Sequence, residues 1–95
     1  MAHTVNSSVA IASIPFLIRK VNVTAASTGA DTVVHGGPAA EPDIVLPVTV
    51  GLGDTGEVSV TAKAETTITI DPETSGDVFD IYCIWFDQAS GGITA

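Results

Sequence analysis

Positively charged residues are scarce in this sequence. Three Lys and Arg stand against eleven Asp and Glu, which gives a net charge of −8. Nucleic-acid binding requires clustered Lys and Arg to neutralise phosphates, and Arg19–Lys20 is the only adjacent basic pair. We therefore expect no nucleic-acid partner. The same charge disfavours contact with an anionic membrane surface.

Cysteine, aromatic residues and long apolar runs are also few. Cys83 is the single cysteine, so no intrachain disulfide can form. The ten-residue apolar run at 9–18 is about half the length of a membrane span. Its basic residues follow it instead of preceding it, which is the wrong order for a signal peptide. We therefore expect synthesis in a cytoplasm and no membrane contact.

A helical apolar period is missing as well, and what is present favours strands. The 95 residues are rich in Val and Thr, whose branched side chains fit a pleated sheet, and Gly and Pro recur at short intervals. The sequence predicts an all-β fold: a small single-domain β-sandwich or partly open barrel of about six or seven short antiparallel strands.

The predicted strands are separated by turn-forming segments. Pro47 places its strand at a sheet edge or a bulge, because proline cannot donate a ladder hydrogen bond. The strand at 78–86 is the most hydrophobic and is predicted to be central, with alternate residues from Phe79 to Trp85 on one face. The predicted extended segments are 14–24, 32–35, 44–50, a hairpin of 57–62 with 66–70, and 78–86.

The organisation predicted from these segments has three parts. Residues 14–88 form the β domain. Residues 1–13 form an extended N-terminal arm, and residues 89–95 form a flexible C-terminal tail. Segments of this kind at chain ends often become ordered only against a partner.

One triplet matches a catalytic motif. Asp54-Thr55-Gly56 resembles the signature of retroviral-type aspartic proteases, in which a dimer supplies two carboxylates that share one proton. Here Glu57 follows the triplet where that family has a small apolar residue. Asp and Gly also dominate turns. We therefore interpret the triplet as a turn and expect no enzymatic activity.

Metal and cofactor ligands do not form a recognisable set. Asp71, Glu73 and Asp77 share one loop, but their spacing lacks the alternation of a calcium loop, so a solvated turn is the simpler interpretation. His3, His35 and Cys83 are single and far apart, whereas zinc sites use paired ligands. The sequence predicts no catalytic residue, no metal site and no cofactor.

Several segments resemble small β-rich virion proteins of tailed bacteriophages. A His-Gly turn and a Pro-Asp strand entry precede a hairpin rich in Val and Thr, in the order found in those proteins. The apolar stretch at 9–18 is a departure from that pattern. The segments are VNVTAASTG at 21–29, TVVHGG at 32–37, EPDIVL at 41–46, VSVTAKAETTITI at 58–70 and FDIY at 79–82.

The resemblance implies a capsid decoration (cement) protein located in the virion. Its partners would be the major capsid protein or other virion subunits, together with copies of itself, and a trimer is favoured. Apolar side chains near the N-terminus, two loop prolines and the basic pair are predicted to form the contacts. These residues are Ile11, Ile14, Phe16, Leu17, Arg19, Lys20, Pro38 and Pro42.

Other functions remain open at this stage. A tail, neck or fibre-attachment protein has the same composition and differs in copy number. A ligand-binding β module requires aromatic platforms on an exposed face, and aromatics make up only 5% of this chain. A dimeric protease requires Asp54 to be catalytic.

Overall fold

Two antiparallel sheets form the molecule, which confirms the predicted all-β class. The computed structural model describes residues 3–14 and 16–86. One sheet has four strands in the order β1-β2-β7-β4, and the other has three in the order β3-β6-β5. The strands are β1 (Thr4–Ala12), β2 (Leu17–Thr24), β3 (Asp31–Val34), β4 (Ile44–Thr49), β5 (Val58–Lys63), β6 (Thr67–Pro72) and β7 (Val78–Trp85).

The core lies between the inner faces of the two sheets. β7 alternates between half-buried and buried residues along its whole length, as expected for a central strand. It lies between β2 and β4, so its prediction as the central strand is confirmed. The buried apolar residues are Val21, Val23, Ala25, Val33, Ile68, Ile70, Phe79, Ile81, Cys83 and Trp85.

The predicted hairpin and edge strand are also confirmed. β5 pairs with β6 in antiparallel register, and Val58 and Val60 pack against the core beside Ile68 and Ile70. Among the strands of the described residues, β4 pairs with β7 alone and is an edge of the larger sheet, where Pro47 lies opposite Ile81.

The N-terminal segment differs from its prediction as an arm. Residues 4–12 are strand β1, which pairs with β2 from Thr4 opposite Thr24 to Ala12 opposite Ile18. Ser8 fixes β1 further, because its Oγ donates to the carbonyl oxygen of His35 at 2.5 Å. The segment is therefore an edge strand of the domain. The predicted tail, 89–95, lies outside the described residues.

Candidate functional site

The most exposed apolar feature runs along β4 and into the turn that follows it. Every second residue is a large apolar side chain that faces water, while Val45, Pro47 and Thr49 between them are half-buried. We call these five outward residues the β4 ridge. They are Ile44 (38% exposed), Leu46 (51%), Val48 (47%), Val50 (44%) and Leu52 (105%).

Pairing with β7 determines which side of β4 faces outward. Val45 lies opposite the buried Cys83, so Val45 faces the core and its neighbours Ile44 and Leu46 face solvent. Ile44 lies opposite Ile84, which in turn lies opposite Ile18 on β2. The outer face beside the ridge is therefore apolar at this end as well.

Leu52 occupies the tip of a turn that is held by backbone hydrogen bonds. The amides of Val50 and Gly51 both donate to the carbonyl oxygen of Val78, at 2.9 and 3.2 Å. The amide of Asp54 donates to the carbonyl oxygen of Gly51 at 3.0 Å, which closes the turn. The Leu52 side chain is thus presented to solvent by an ordered backbone.

Asp54, the acid of the candidate protease triplet, has a structural role in this turn. Its Oδ2 accepts the amide of Val78 at 2.8 Å. Its carboxylate also lies where a side chain on Gly51 would have to sit. These contacts support the interpretation of Asp54-Thr55-Gly56 as a turn.

Asp77 holds the same turn from the neighbouring loop. It is buried, and its Oδ2 accepts the amide of Gly56 at 3.0 Å, while its backbone oxygen accepts the amide of Ala25. Asp71 and Glu73 in that loop are exposed. Among residues 3–14 and 16–86, no group of three His, Cys, Asp or Glu side chains is arranged to hold a metal ion.

The loops at this end of the sandwich carry negative charge. The connections at 50–57 and 73–77 meet here, and the amide of Glu73 donates to the carbonyl oxygen of Glu57 at 2.8 Å. Both segments contain Asp and Glu but no Lys or Arg. Glu57, Asp71 and Glu73 are exposed. We call this end the acidic end.

Three of the predicted contact residues are exposed at the opposite end. Ile11 is 50% exposed, Ile14 is 73% exposed and Phe16 is 41% exposed. The Phe16 ring lies 5.0 Å from that of Phe86, which is itself 43% exposed. Ile11, Ile14 and Phe16 thus present a second set of exposed apolar side chains, near the link between β1 and β2.

The remaining predicted contact residues are less available to a partner. Leu17 packs against the core. Arg19 is half-buried, and its Nε and a terminal nitrogen donate to Ser8 Oγ and O at 2.7 and 3.0 Å. Lys20 and Pro38 are half-buried. Pro42 is fully buried, so its predicted place at a partner surface is corrected: within this chain its side chain does not reach solvent.

His35 is the most constrained titratable side chain. Its Nδ1 accepts the amide of Gly37 at 3.0 Å, so its Nε2 carries the proton and donates to the carbonyl oxygen of Glu65 at 2.8 Å. The ring is 1% exposed and meets Trp85 edge-on at 5.1 Å between centroids. Burial lowers the pKa of His35 below its ordinary 6.5, against the raising effect of its backbone hydrogen bonds.

Cys83 and His3 are both buried. Burial raises the pKa of the Cys83 thiol to about 11, which keeps it protonated and unreactive at neutral pH. His3 Nδ1 accepts the amide of Ala26 at 3.1 Å, which ties the start of β1 to the loop after β2.

Sequence reasoning missed the β4 ridge as a surface, although the signal was there. In Ile44–Leu52 every even-numbered position holds a large apolar residue, a pattern that can be read from the printed sequence. Only the pairing with β7 shows that this set faces water.

Comparisons with known proteins identify no relative. No protein-family model matches the chain, and neither curated proteins nor solved structures gave a match. Within the described ranges no helix has the length and apolar character needed to cross a bilayer. What the protein does must therefore be inferred from its own surfaces.

Proposed function

We propose that this chain is a non-enzymatic structural protein of a tailed-phage virion, a capsid decoration protein that stabilises the head shell by contact with major capsid subunits. The β4 ridge is the observation that supports this proposal. Five exposed large apolar side chains lie on β4 and the turn that follows it, and exposed apolar patches mark binding surfaces.

The size of the chain makes such a role demanding. A stable protein interface buries roughly 800 Å² on each partner. The whole chain exposes 4936 Å², so one interface of that size would take about a sixth of its surface. Burial of apolar area contributes about 25 cal/mol per Å² before the entropic cost of association. The β4 ridge and the apolar tip formed by Ile11, Ile14 and Phe16 are the exposed apolar surfaces that such an interface would use.

The polar side chains that could carry chemistry are engaged with the backbone. Asp54 and Asp77 accept amides of residues 78 and 56, and the two ring nitrogens of His35 bind the backbone of residues 37 and 65. These contacts assign the three side chains to holding loops in place, which supports a role in adhesion over one in catalysis.

Self-association belongs to the same proposal. Decoration by a homo-oligomer, with a trimer favoured, lets several weak contacts act together, and multivalency increases apparent affinity without any new contact. Sedimentation equilibrium of the purified chain tests this part: a single species of three chains supports it, and a monomer at all concentrations contradicts it.

The proposed function is tested by binding to phage heads that lack the protein. Labelled chain is mixed with purified heads of the phage that carries the gene, the heads are sedimented, and bound copies are counted by quantitative mass spectrometry. We expect hundreds of copies per head. A few copies would indicate a tail or neck position, and none would refute the proposal.

Two matched variants separate ridge binding from nonspecific adhesion. Leu46→Asp places a charge on the ridge, and Val34→Asp places the same charge at an exposed valine on the other sheet (51% and 58% exposed in the native chain). We expect Leu46→Asp to abolish head binding and Val34→Asp to leave it unchanged. Equal effects would show that the ridge is not the contact.

A further inference from the structure

One side chain of the β4 ridge differs from the other four. Leu52 is 105% exposed, so its side chain makes no contact that stabilises the fold. Exposing a leucine in this way costs solubility and contributes nothing to folding. The exposure of the Leu52 side chain is explained if this side chain becomes buried in a pocket of another molecule.

The turn that carries Leu52 is already in a fixed conformation. Its amides at 50, 51 and 54 are all bonded within the protein, and Asp54 binds the amide of Val78. Gly53 adopts a φ of 80°, which a side chain would disfavour. A binding residue on a pre-ordered loop loses less conformational entropy on association, so more of its burial appears as affinity.

The surroundings of Leu52 indicate the charge of the partner. Glu57, Asp71 and Glu73 are exposed at the acidic end, and the two loops there contain no Lys or Arg. A second copy docked through this end would bring like charges together. Nucleic acid and anionic lipid would also be repelled. A protein surface that bears Lys and Arg would be attracted, and such complementarity also speeds association.

We infer that Leu52 is the anchor of a protein-docking site at the acidic end, and that it inserts into an apolar pocket rimmed by Lys and Arg on a different protein. This inference rests on the proposed function, in which that protein is the shell subunit. Leu52 would then be buried at the centre of the contact, with the carboxylates around it facing the basic rim.

The test on heads compares Leu52→Ala with Thr55→Ala, a neighbouring exposed residue of the same turn. We expect Leu52→Ala to weaken head binding about 30-fold, the loss typical of an interface anchor. Its thermal melting should be unchanged, because the native side chain has no internal contact. Thr55→Ala should bind like the native chain. Equal binding by Leu52→Ala would overturn the inference and leave the proposed function standing.

The rim is tested by Glu57→Gln combined with Glu73→Gln. We expect weaker head binding at low salt and a smaller dependence of affinity on ionic strength, because fewer charge pairs are screened. An unchanged dependence of affinity on salt would contradict the inference that the partner's pocket is rimmed by Lys and Arg.

A second probe keeps the inference testable if native chain does not bind heads, a result that would refute only the proposed function. The probe is a chromatography resin whose ligand joins a quaternary ammonium to a benzyl group. Native chain and Thr55→Ala should elute at higher salt than Leu52→Ala and the double Gln variant. Co-elution of Leu52→Ala with native chain would overturn the anchor.

Two further measurements test other occupants. Sedimentation of the native chain and of Leu52→Ala tests whether Leu52 contributes to self-association. Flotation with phosphatidylcholine vesicles tests whether Leu52 inserts into lipid. We expect Leu52→Ala to change neither. Loss of an oligomer or of vesicle binding in this variant would overturn the assignment to a basic protein surface.

Discussion

Acid should destabilise this protein through His35, and the size of the effect can be worked out from its contacts. The native ring is neutral, with Nδ1 accepting the amide of Gly37. A second proton would occupy Nδ1 and turn that hydrogen bond into a contact between two donors. It would also place a positive charge near Arg19, whose charge already disfavours protonation of His35. Both effects oppose protonation in the folded state.

The sign of the pH dependence follows from the lowered pKa. Unfolded chain takes up the proton near pH 6.5, while folded chain takes it up only at lower pH. The contribution of His35 to stability is therefore complete above pH 6.5 and is lost as the pH falls towards the folded pKa. At one pH unit below 6.5 the loss reaches at most about 1.4 kcal/mol.

The assay is urea unfolding followed by the fluorescence of Trp85, the only tryptophan, at pH 7.5, 6.5 and 5.5. The matched control is His35→Gln, because a glutamine can accept from Gly37 and donate to Glu65 without titrating. We expect the native chain to lose more stability than this variant between pH 7.5 and 5.5. All other ionisable groups are the same in both proteins, so the difference between the two reports on His35.

Equal pH dependence of the two proteins would refute the reasoning. If His35→Gln does not fold, the deciding measurement is an NMR titration of the His35 ring in the native chain. A midpoint at or above 6.5 would then show that burial does not control the protonation of this side chain.

Three further predictions concern the acidic end and the core. Gly51→Ala should lower the free energy of unfolding by about 1–3 kcal/mol, because the new methyl group displaces the Asp54 carboxylate. Urea unfolding should show a smaller loss when the same substitution is made in an Asp54→Ala background, and additive losses would contradict this explanation. Asp77→Ala should lower the free energy of unfolding by about 2 kcal/mol, because the charged acceptor of the Gly56 amide is lost. Asp77→Asn should lower it less, because its amide oxygen can still accept that hydrogen bond. Equal melting temperatures of the two variants would argue against a stabilising role for this hydrogen bond. Cys83 should not react with a disulfide reagent at pH 8 until urea is added, because its side chain is buried and burial raises its pKa to about 11. Rapid labelling of the folded chain would show that β7 separates from its neighbouring strands often enough to expose the thiol.

The apolar tip formed by Ile11, Ile14 and Phe16 is exposed to solvent, and its role in partner contact stays a prediction. Sequence reasoning failed for Pro42, because a proline in a loop looks accessible in sequence. Whether a loop folds over the core or away from it depends on contacts with distant strands. Since β1 belongs to the sheet, point substitutions test this tip better than removal of residues 1–13.

The order of apolar and polar residues was sufficient to predict every strand of the described residues except β1. Alternation from Phe79 to Trp85 predicted a buried face, and Pro47 predicted an edge, because both depend on local geometry that a strand imposes on any sequence. The His35 corner was not predictable in this way. It joins residues 8, 19, 37, 65 and 85, whose separations along the chain carry no signal of their meeting.

The β4 ridge shows what the sequence determines by itself and what depends on the tertiary structure. Sequence alone determined that Ile44–Thr49 is a strand with apolar side chains on alternate positions. It left undecided which set is buried, because both sets in this strand are largely apolar. The tertiary structure decided it: Val45 lies opposite Cys83 under the second sheet, and a strand has only two faces, so Ile44, Leu46 and Val48 face water.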